Sequence, residues 1–269
     1  MDERYVRNLG ALSERECNLL RTKTVFVAGC GGLGGYLIEM LLRLGVGTIR
    51  AADGDAFEVS NLNRQLLSSP SSLGQPKAEA AAARAALVNP DVRFEAIPEF
   101  VTEENAGRLI RGCDAVLDAL DNIRARRILA RACAEEDIPL IHGAICGWSA
   151  QAAVVMPGDN LIDKIYPENA VLGSKTSLSF TPPFCAAMQT ALCTRLLTGR
   201  PLETGRLYMA DLLDMELESL FCQRAAWTTK SKNCMWRLPP AVIFGARCVS
   251  GTAGSASVSA ISTRRLLRA

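Results

Sequence analysis

The chain contains few of the residues on which several common protein classes depend. It has one His and 6% aromatic residues among 269 residues. It has no apolar run of about 18 residues or more, so no membrane-spanning helix is predicted. The first four residues are too acidic and polar for a secretory or mitochondrial signal. We therefore expect a cytoplasmic protein that does not enter a membrane.

The ten cysteines contain no Cys-x-x-Cys pair. Structural zinc sites commonly use such pairs, so we expect no zinc. Disulfide frameworks are typical of short secreted chains, and this chain is long. Most of these cysteines are therefore predicted to be small buried apolar residues.

Acidic residues are absent from 223–269, which holds eight of the 30 Lys and Arg residues. Residues 1–222 thus carry 22 basic and 28 acidic groups, a net charge of −6. We interpret 1–222 as one domain and 223–269 as a basic low-complexity tail that is disordered or not part of the domain. The tail is either an arm for nucleic acid or an acidic partner, or translation past the original reading frame. Trp227 and Trp236 favour the second interpretation, because aromatic residues are rare in solvated arms.

Strands and helices alternate through most of 1–222. Strands are predicted at 24–28, 48–52, 92–97, 114–117, 139–141, 152–156, 206–210 and 215–220. Helices are predicted from about 33, and at 77–87, 103–110, 122–136 and 185–197, whereas 157–183 shows no periodicity. This order predicts an α/β, Rossmann-like, doubly wound fold with a mostly parallel sheet and antiparallel C-terminal strands.

A glycine-rich turn joins the first predicted strand to the first long helix. Its glycines are Gly29, Gly31, Gly32 and Gly34. The N–H groups of such a turn and the helix dipole can bind a phosphate, and Asp53 lies where a carboxylate accepts hydrogen bonds from ribose. Glycines also permit close packing of a helix on a strand, so the pattern alone leaves a structural explanation open.

Two cations after the second strand favour a triphosphate over a nicotinamide dinucleotide. Arg64 lies in SNLNRQ with Ser60 and Asn61, and Lys77 ends GQPK. A triphosphate needs cations along its phosphates, so ATP is the predicted nucleotide. The alternatives are a solvated loop charge for Arg64 and a helix N-terminal side chain for Lys77, although the helix dipole disfavours a cation there.

Asp121 and Asn122 follow the fourth predicted strand, at the sheet edge where ligands bind in open α/β folds. Asp121 is the predicted carboxylate for Mg²⁺ on the phosphates. The alternative is a helix N-cap, and both roles are possible if Asn122 caps the helix while Asp121 binds the metal.

Together, GCGGLGG, the strand ending at Asp53, SNLNRQ, GQPK and LDN resemble the ThiF/MoeB/HesA family, bacterial relatives of ubiquitin-activating enzymes. The resemblance covers about 4–220. It implies MgATP-dependent adenylation of the C-terminal glycine of a ubiquitin-like sulfur carrier protein ending in Gly-Gly, as in thiamine or molybdopterin synthesis. It assigns ATP to the glycine turn, Asp53, Ser60, Asn61 and Asn122, and catalysis to Arg7, Arg64, Lys77 and Asp121.

The resemblance also implies a homodimer. Arg7, in the segment RYVRN, matches the family arginine that reaches into the partner subunit's ATP site. A carboxylate nucleophile is already ionised at neutral pH, so no general base is needed and His142 is interpreted as a buried strand-end residue.

The cysteines depart from the family pattern. Some members form a covalent intermediate on a cysteine of the crossover loop, but 169–183 contains none here. The nearest is Cys185, predicted near a helix start, where the dipole could lower its pKa. Its apolar neighbours indicate core packing, so we expect no obligatory covalent intermediate.

Other functions remain open. Some relatives cyclise a modified tRNA adenosine and others activate peptide C-termini, and the chain could be a non-catalytic member or a NAD-dependent dehydrogenase. The net charge of −6 on residues 1–222 argues against a nucleic-acid partner.

Overall fold

A computed structural model describes residues 3–167, 170 and 176–221. The predicted tail at 223–269 lies outside the described residues, as does the part of the crossover loop at 168, 169 and 171–175. The described residues form one sheet of eight strands: β1 (Thr24–Ala28), β2 (Thr48–Ala52), β3 (Arg93–Ile97), β4 (Ala115–Asp118), β5 (Leu140–Cys146), β6 (Ser149–Val155), β7 (Arg206–Asp211) and β8 (Glu216–Phe221).

The strands lie in the order β3-β2-β1-β4-β5-β6-β7-β8. Strands β1 to β5 pair in parallel, and β6, β7 and β8 continue the sheet in antiparallel pairs. This arrangement confirms the predicted fold. The strand order reverses between β1 and β4, which is where open α/β sheets bind their ligands.

Helices cover both faces of the sheet: α1 (Glu14–Leu20), α2 (Gly32–Leu44), α3 (Lys77–Val88), α4 (Ala106–Ile110), α5 (Ile123–Glu135), α6 (Leu161–Ile165) and α7 (Thr181–Leu197). Residues of α1, α2, α3 and α7 share one apolar cluster, and residues of α4, α5 and α6 share the other. Successive residues of a strand point to opposite faces. In β1, Val25 and Val27 accordingly join the first cluster, and Phe26 and Ala28 the second.

The prediction was least accurate for 157–183. No periodicity was found there, but the segment contains α6 and the beginning of α7. Helix α7 begins at Thr181 and has prolines in its first turn, where a missing N–H costs no helical hydrogen bond. Cys185 is therefore the fifth residue of α7, and its predicted place near the helix start was wrong. Proline in this segment starts a helix instead of marking a loop.

Several further boundaries differ from the prediction, among them the start of β6, which is at Ser149 rather than 152. Strand β5 extends to Cys146, so the buried His142 lies inside the strand rather than at its end. Helix α4 begins at Ala106 rather than at 103. None of the helices in the described part of the chain is long and apolar enough to cross a bilayer.

Candidate active site

A cavity of about 630 Å³ lies beyond the carboxyl ends of the parallel strands. Its size is typical of sites for small molecules. Eight of the predicted site residues line it: Gly29, Gly31, Gly32, Asp53, Arg64, Lys77, Asp121 and Asn122. Segments more than 90 residues apart in sequence therefore meet in one place, as the parallel topology predicts.

The glycine turn places the N-terminus of α2 at this cavity. Gly31 precedes the 13-residue helix, and no side chain caps the free N–H groups of its first turn. Those groups and the positive end of the helix dipole favour a negatively charged ligand. Gly29 has a φ of +98°, and a Cβ there would approach the carbonyl oxygen of Ala119 to 2.9 Å. The turn thus needs glycine at position 29 for both conformation and space.

Gly34 is required by close packing of α2 on the glycine turn. A Cβ at this position would lie 1.8 Å from the carbonyl oxygen of Gly29, and Gly34 is absent from the cavity wall. The close-packing explanation that the sequence left open therefore applies to Gly34. A Cβ on Gly32, in contrast, would meet nothing closer than 3.7 Å, where the Arg64 side chain lies.

Asp53 lies at the end of β2, with both oxygens held by backbone N–H groups. Cys30 N donates to Oδ2 at 2.7 Å, and Asp55 N donates to Oδ1 at 2.9 Å. Burial raises the pKa of Asp53, and these two hydrogen bonds together with Lys77 oppose that effect. Each carboxylate oxygen keeps a further acceptor position, so Asp53 can still accept hydrogen bonds from two hydroxyl groups.

Arg64 and Lys77 present their positive charges to the same cavity. Arg64 donates to the Ser60 carbonyl oxygen and to Asn63 Oδ1, at 2.9 and 2.8 Å. The side chain of Lys77, the first residue of α3, is buried, and its Nζ lies 3.1 Å from Asp55 Oδ2. The positive end of the helix dipole disfavours a lysine at this position, so a nearby anion has to offset the unfavourable charge interaction.

The loop between β4 and α5 brings Asp121 to the cavity. Asn122 Oδ1 accepts a hydrogen bond from Ala125 N at 2.8 Å and so caps α5. Both Asp121 and Asn122 are exposed and line the cavity, but only the Asn122 side chain caps the helix. The alternative that Asp121 itself caps the helix is wrong, because Asn122 takes that position.

Besides Gly34, three predicted residues lie outside the cavity wall. Ser60 and Asn61 belong to a short 3₁₀ turn, in which Asn61 Oδ1 accepts from Glu58 N at 3.1 Å. This turn precedes Arg64 and helps to orient it. Arg7 is exposed at the end of the 3₁₀ helix Glu3–Asn8.

The sequence interpretation missed several residues that line the cavity. Gln65 is buried, and its Oε1 has no hydrogen-bond partner among the described residues. Its place directly after Arg64 in SNLNRQ was a usable signal. Residues 99–104 also line the cavity, and their position after β3 follows from the rule that strand ends carry ligand sites. Thr176 and Ser177 gave no such signal.

Cys185 and His142 lie in the core beside this site. Burial raises the pKa of Cys185 to about 12, and its Sγ donates to the Gln151 carbonyl oxygen at 3.3 Å. Burial also lowers the pKa of His142, whose Nδ1 lies 2.8 Å from Asp118 Oδ2. A thiol with such a pKa is protonated at neutral pH, which makes Cys185 a poor nucleophile.

The comparisons with known proteins agree on one family. The model of the ThiF family matches residues 5–235, which extends past the predicted domain boundary at 222. The SAMP-activating enzyme E1 of Haloferax volcanii is 35% identical over 209 residues, 75% of this chain and 77% of that protein. The sulfur carrier protein adenylyltransferase of Thermus thermophilus is 34% identical over 219 residues, 76% of this chain and 80% of that protein.

Two further matches differ from these in identity and in the share of the chain that they cover. The tRNA threonylcarbamoyladenosine dehydratase of Bacillus subtilis is 39% identical over 142 residues, 52% of this chain and 56% of that protein. The crystal structure of E. coli MccB with ATP has a TM-score of 0.73 at 20% identity, with 85% of this chain and 74% of that chain covered. At this identity the MccB match supports the fold.

Proposed function

This chain belongs to the ThiF family, and on that basis we propose that it uses MgATP to adenylate the C-terminal glycine of a ubiquitin-like sulfur carrier protein. Family membership makes the chain an adenylyltransferase, an enzyme that uses ATP. The proposal concerns its substrate, its metal, its assembly and the roles of individual residues.

One observation carries the proposal: the uncapped N-terminus of α2, Asp53, Arg64 and Lys77 line a single cavity. The N-terminus of α2, Arg64 and Lys77 favour phosphate oxygens, and Asp53 favours hydroxyl groups. A nucleoside triphosphate has both. We assign the ribose to Asp53 and the phosphates to Arg64, Lys77 and the glycine turn.

Adenylation needs charge stabilisation more than a protein nucleophile. The carrier's terminal carboxylate attacks the α-phosphorus, a new P–O bond forms, and the bond to pyrophosphate breaks. Negative charge grows on the departing pyrophosphate, where Arg64 and Lys77 would stabilise it. The attacking carboxylate is ionised at neutral pH, so no group of the chain has to remove a proton. The high pKa of Cys185 agrees with a reaction that forms no obligatory enzyme thioester.

Asp121 is the proposed protein ligand of Mg²⁺. No cluster of three or more His, Cys, Asp or Glu side chains suited to a metal occurs among the described residues. Mg²⁺ is commonly held by one or two carboxylates together with substrate phosphates, and a single exposed carboxylate at the phosphate cavity fits that mode. When bound, the ion would neutralise charge on the phosphates.

Arg7 belongs to the proposal through the partner subunit. In its own chain Arg7 does not line the cavity, and it is exposed near the N-terminus. We propose a homodimer in which Arg7 of each chain reaches the phosphates bound by the other.

A second candidate substrate is a modified tRNA adenosine. It is favoured by the 39% identity to the tRNA threonylcarbamoyladenosine dehydratase, which covers 52% of this chain. The acidic charge of residues 1–222 favours the carrier protein instead. The matches to sulfur carrier protein adenylyltransferases also cover more of the chain.

ATP–pyrophosphate exchange tests the proposal. Labelled pyrophosphate is incubated with the protein, ATP, Mg²⁺ and a purified ThiS-type or MoaD-type carrier. A matched carrier without its last glycine is the control. We expect exchange with the intact carrier and none with the shortened one. Exchange that needs no carrier, exchange only with tRNA, or no exchange with either carrier would contradict the proposal.

A further inference from the structure

A second cavity adjoins the proposed nucleotide site. Its volume is about 330 Å³, and six residues line it: Glu103, Ile123, Arg124, Arg127, Ile128 and Arg131. Glu103, Arg124 and Ile128 also line the larger cavity, so the two share a wall. A ligand in the second cavity would therefore lie directly beside the nucleotide.

The three arginines of this cavity lie on one face of α5. Positions 124, 127 and 131 are spaced by three and four residues, which places their side chains in a row along a helix. We call this row the α5 arginine face. Each residue rises about 1.5 Å, so Arg127 and Arg131 are about 6 Å apart along the helix axis.

Among the described residues, no carboxylate lies within ion-pair distance of the α5 arginine face, and Arg124 has only a longer-range interaction with Glu104. The chain supplies close carboxylate partners to arginines elsewhere. Arg43 and Arg84 both pair with Glu39, and Arg111 pairs with Glu136 beside the end of α5. Arg124 and Arg131, in contrast, form no hydrogen bond or ion pair with any residue that the structure describes.

Arg127 is only partly satisfied by the protein. Its Nη2 donates to the Tyr166 carbonyl oxygen. Its buried Nε has no hydrogen-bond partner among the described residues. That nitrogen faces the protein interior, whereas the guanidinium donors of the exposed Arg124 and Arg131 favour an anion that can accept several hydrogen bonds at once. Glu103 contributes one negative charge to the cavity wall, which leaves an excess of positive charge.

We propose that the α5 arginine face binds carboxylate side chains of an extended acidic segment in the polypeptide that the enzyme activates. Alternate side chains of an extended segment are about 6.6 Å apart, close to the spacing of Arg127 and Arg131. Ile123 and Ile128 offer apolar contacts to the aliphatic parts of Glu side chains. The inference rests on the proposed function only in that the substrate is a polypeptide.

A protein segment fits this cavity better than a nucleic acid. Nucleic-acid binding relies on long basic surfaces that contact many phosphates. Here the neighbouring cavity is lined by Glu99, Glu103 and Glu104. An RNA strand long enough to extend past the three arginines would meet all of these carboxylates, whereas a short acidic segment confined to the second cavity would meet only Glu103.

Peptide binding in the absence of ATP tests the inference. The probes are two fluorescein-labelled peptides, one with Glu at three alternate positions before Gly-Gly and one with Gln at those positions. Fluorescence anisotropy with the full chain should show that the Glu peptide binds about tenfold or more tightly than the Gln peptide, and that added salt removes the difference. Equal affinity of the two peptides, or no binding of either, would overturn the inference.

A pair of charge reversals assigns the effect to α5. Arg131→Glu should weaken the Glu peptide about tenfold or more and leave the Gln peptide unchanged. Arg15→Glu, at an exposed arginine of α1 without a described partner, should change neither. Thermal unfolding of both variants checks the fold. Equal effects of the two reversals, or tighter binding of a 12-nucleotide RNA than of the Glu peptide, would overturn the inference. Failure of ATP–pyrophosphate exchange with intact peptide binding would contradict only the proposed function.

Discussion

Asp118 and Arg126 form a fully buried ion pair, with Asp118 Oδ2 2.7 Å from Arg126 Nη1. Burial alone would raise the pKa of Asp118, but Arg126 and the hydrogen bond with His142 outweigh it and hold that pKa below its usual value. Arg126 also donates to the carbonyl oxygens of Leu120 and Gly143. The pair thus fixes the loop that carries Asp121 against the neighbouring strand β5.

Removal of Arg126 should therefore destabilise the protein strongly. Arg126→Ala leaves Asp118 buried without its partner, and we expect a loss of about 3–5 kcal/mol in the free energy of unfolding. Arg111→Ala is the matched control, because it breaks a solvent-screened surface pair with Glu136 and should change the stability far less. Urea unfolding of both variants measures the difference, and similar losses would contradict the prediction.

The two glycines at the start of α2 should respond in opposite ways. Gly34→Ala brings a Cβ to 1.8 Å from the Gly29 carbonyl oxygen, so the helix must shift at a cost of about 1–3 kcal/mol or more. Gly32→Ala has room in the fold and should keep its melting temperature, but its methyl group would face the cavity and weaken ATP binding. Calorimetry gives both quantities. A stable Gly34→Ala protein, or unchanged ATP affinity in Gly32→Ala, would be inconsistent with these roles.

Arg64 should matter for turnover and little for stability. Among the described residues, its side chain donates hydrogen bonds only to the Ser60 carbonyl oxygen and to Asn63. We expect Arg64→Ala to lower carrier-dependent exchange by about 10²–10³, the cost of removing one charge-stabilising donor. Arg43→Ala, on the outer surface of α2, serves as the control and should exchange normally. Retained exchange in Arg64→Ala would exclude its proposed contact with the phosphates.

Cys185 should prove dispensable for chemistry. Its thiol has a pKa of about 12 because it is buried, so almost no thiolate exists at neutral pH. Cys185→Ser keeps a donor for the Gln151 carbonyl oxygen and should retain both exchange and sulfur transfer. In the native wild-type protein, iodoacetamide followed by peptide mapping should leave Cys185 unmodified. Selective loss of sulfur transfer in Cys185→Ser would point to a covalent intermediate.

Low pH should weaken the ion pair by which Glu16 of α1 binds Arg200. The hydrogen bond from Arg200, together with those from Ser13, lowers the pKa of Glu16 to about 2. A carboxyl whose folded pKa is depressed stabilises the fold above its ordinary value of about 4.5, and that stabilisation is lost as the pH falls towards 2. Urea midpoints between pH 5 and pH 2 should fall less steeply for Glu16→Gln than for the wild type. Glu79→Gln, on the exposed side of α3, should follow the wild-type curve, and a parallel decline in all three proteins would refute the assignment.

Local sequence was sufficient for most of the fold and for part of the site. The alternation of strands and helices predicted the parallel sheet. A helix between two strands returns the chain to the end of the sheet at which the first strand began, so the two strands run in the same direction. The carboxyl ends of the strands then had to meet, which brought Asp53 and Asp121 to one cavity. Residues 99–104 could have been assigned on the same grounds, and Gln65 could have been assigned from its position directly after Arg64 in SNLNRQ.

The sequence by itself determined the glycine turn, the succession of strands and helices along the chain and the residue types that suit a triphosphate, because these depend on short-range periodicity and backbone geometry. Only the tertiary structure decided which glycine packs and which faces the ligand, since this depends on what lies across from each Cα. It also decided that Cys185 is buried with a raised pKa, and that Arg124, Arg127 and Arg131 form no ion pair with a carboxylate of the described residues, whereas Arg111 does. Partners and burial come from segments distant in sequence, and no local pattern contains them.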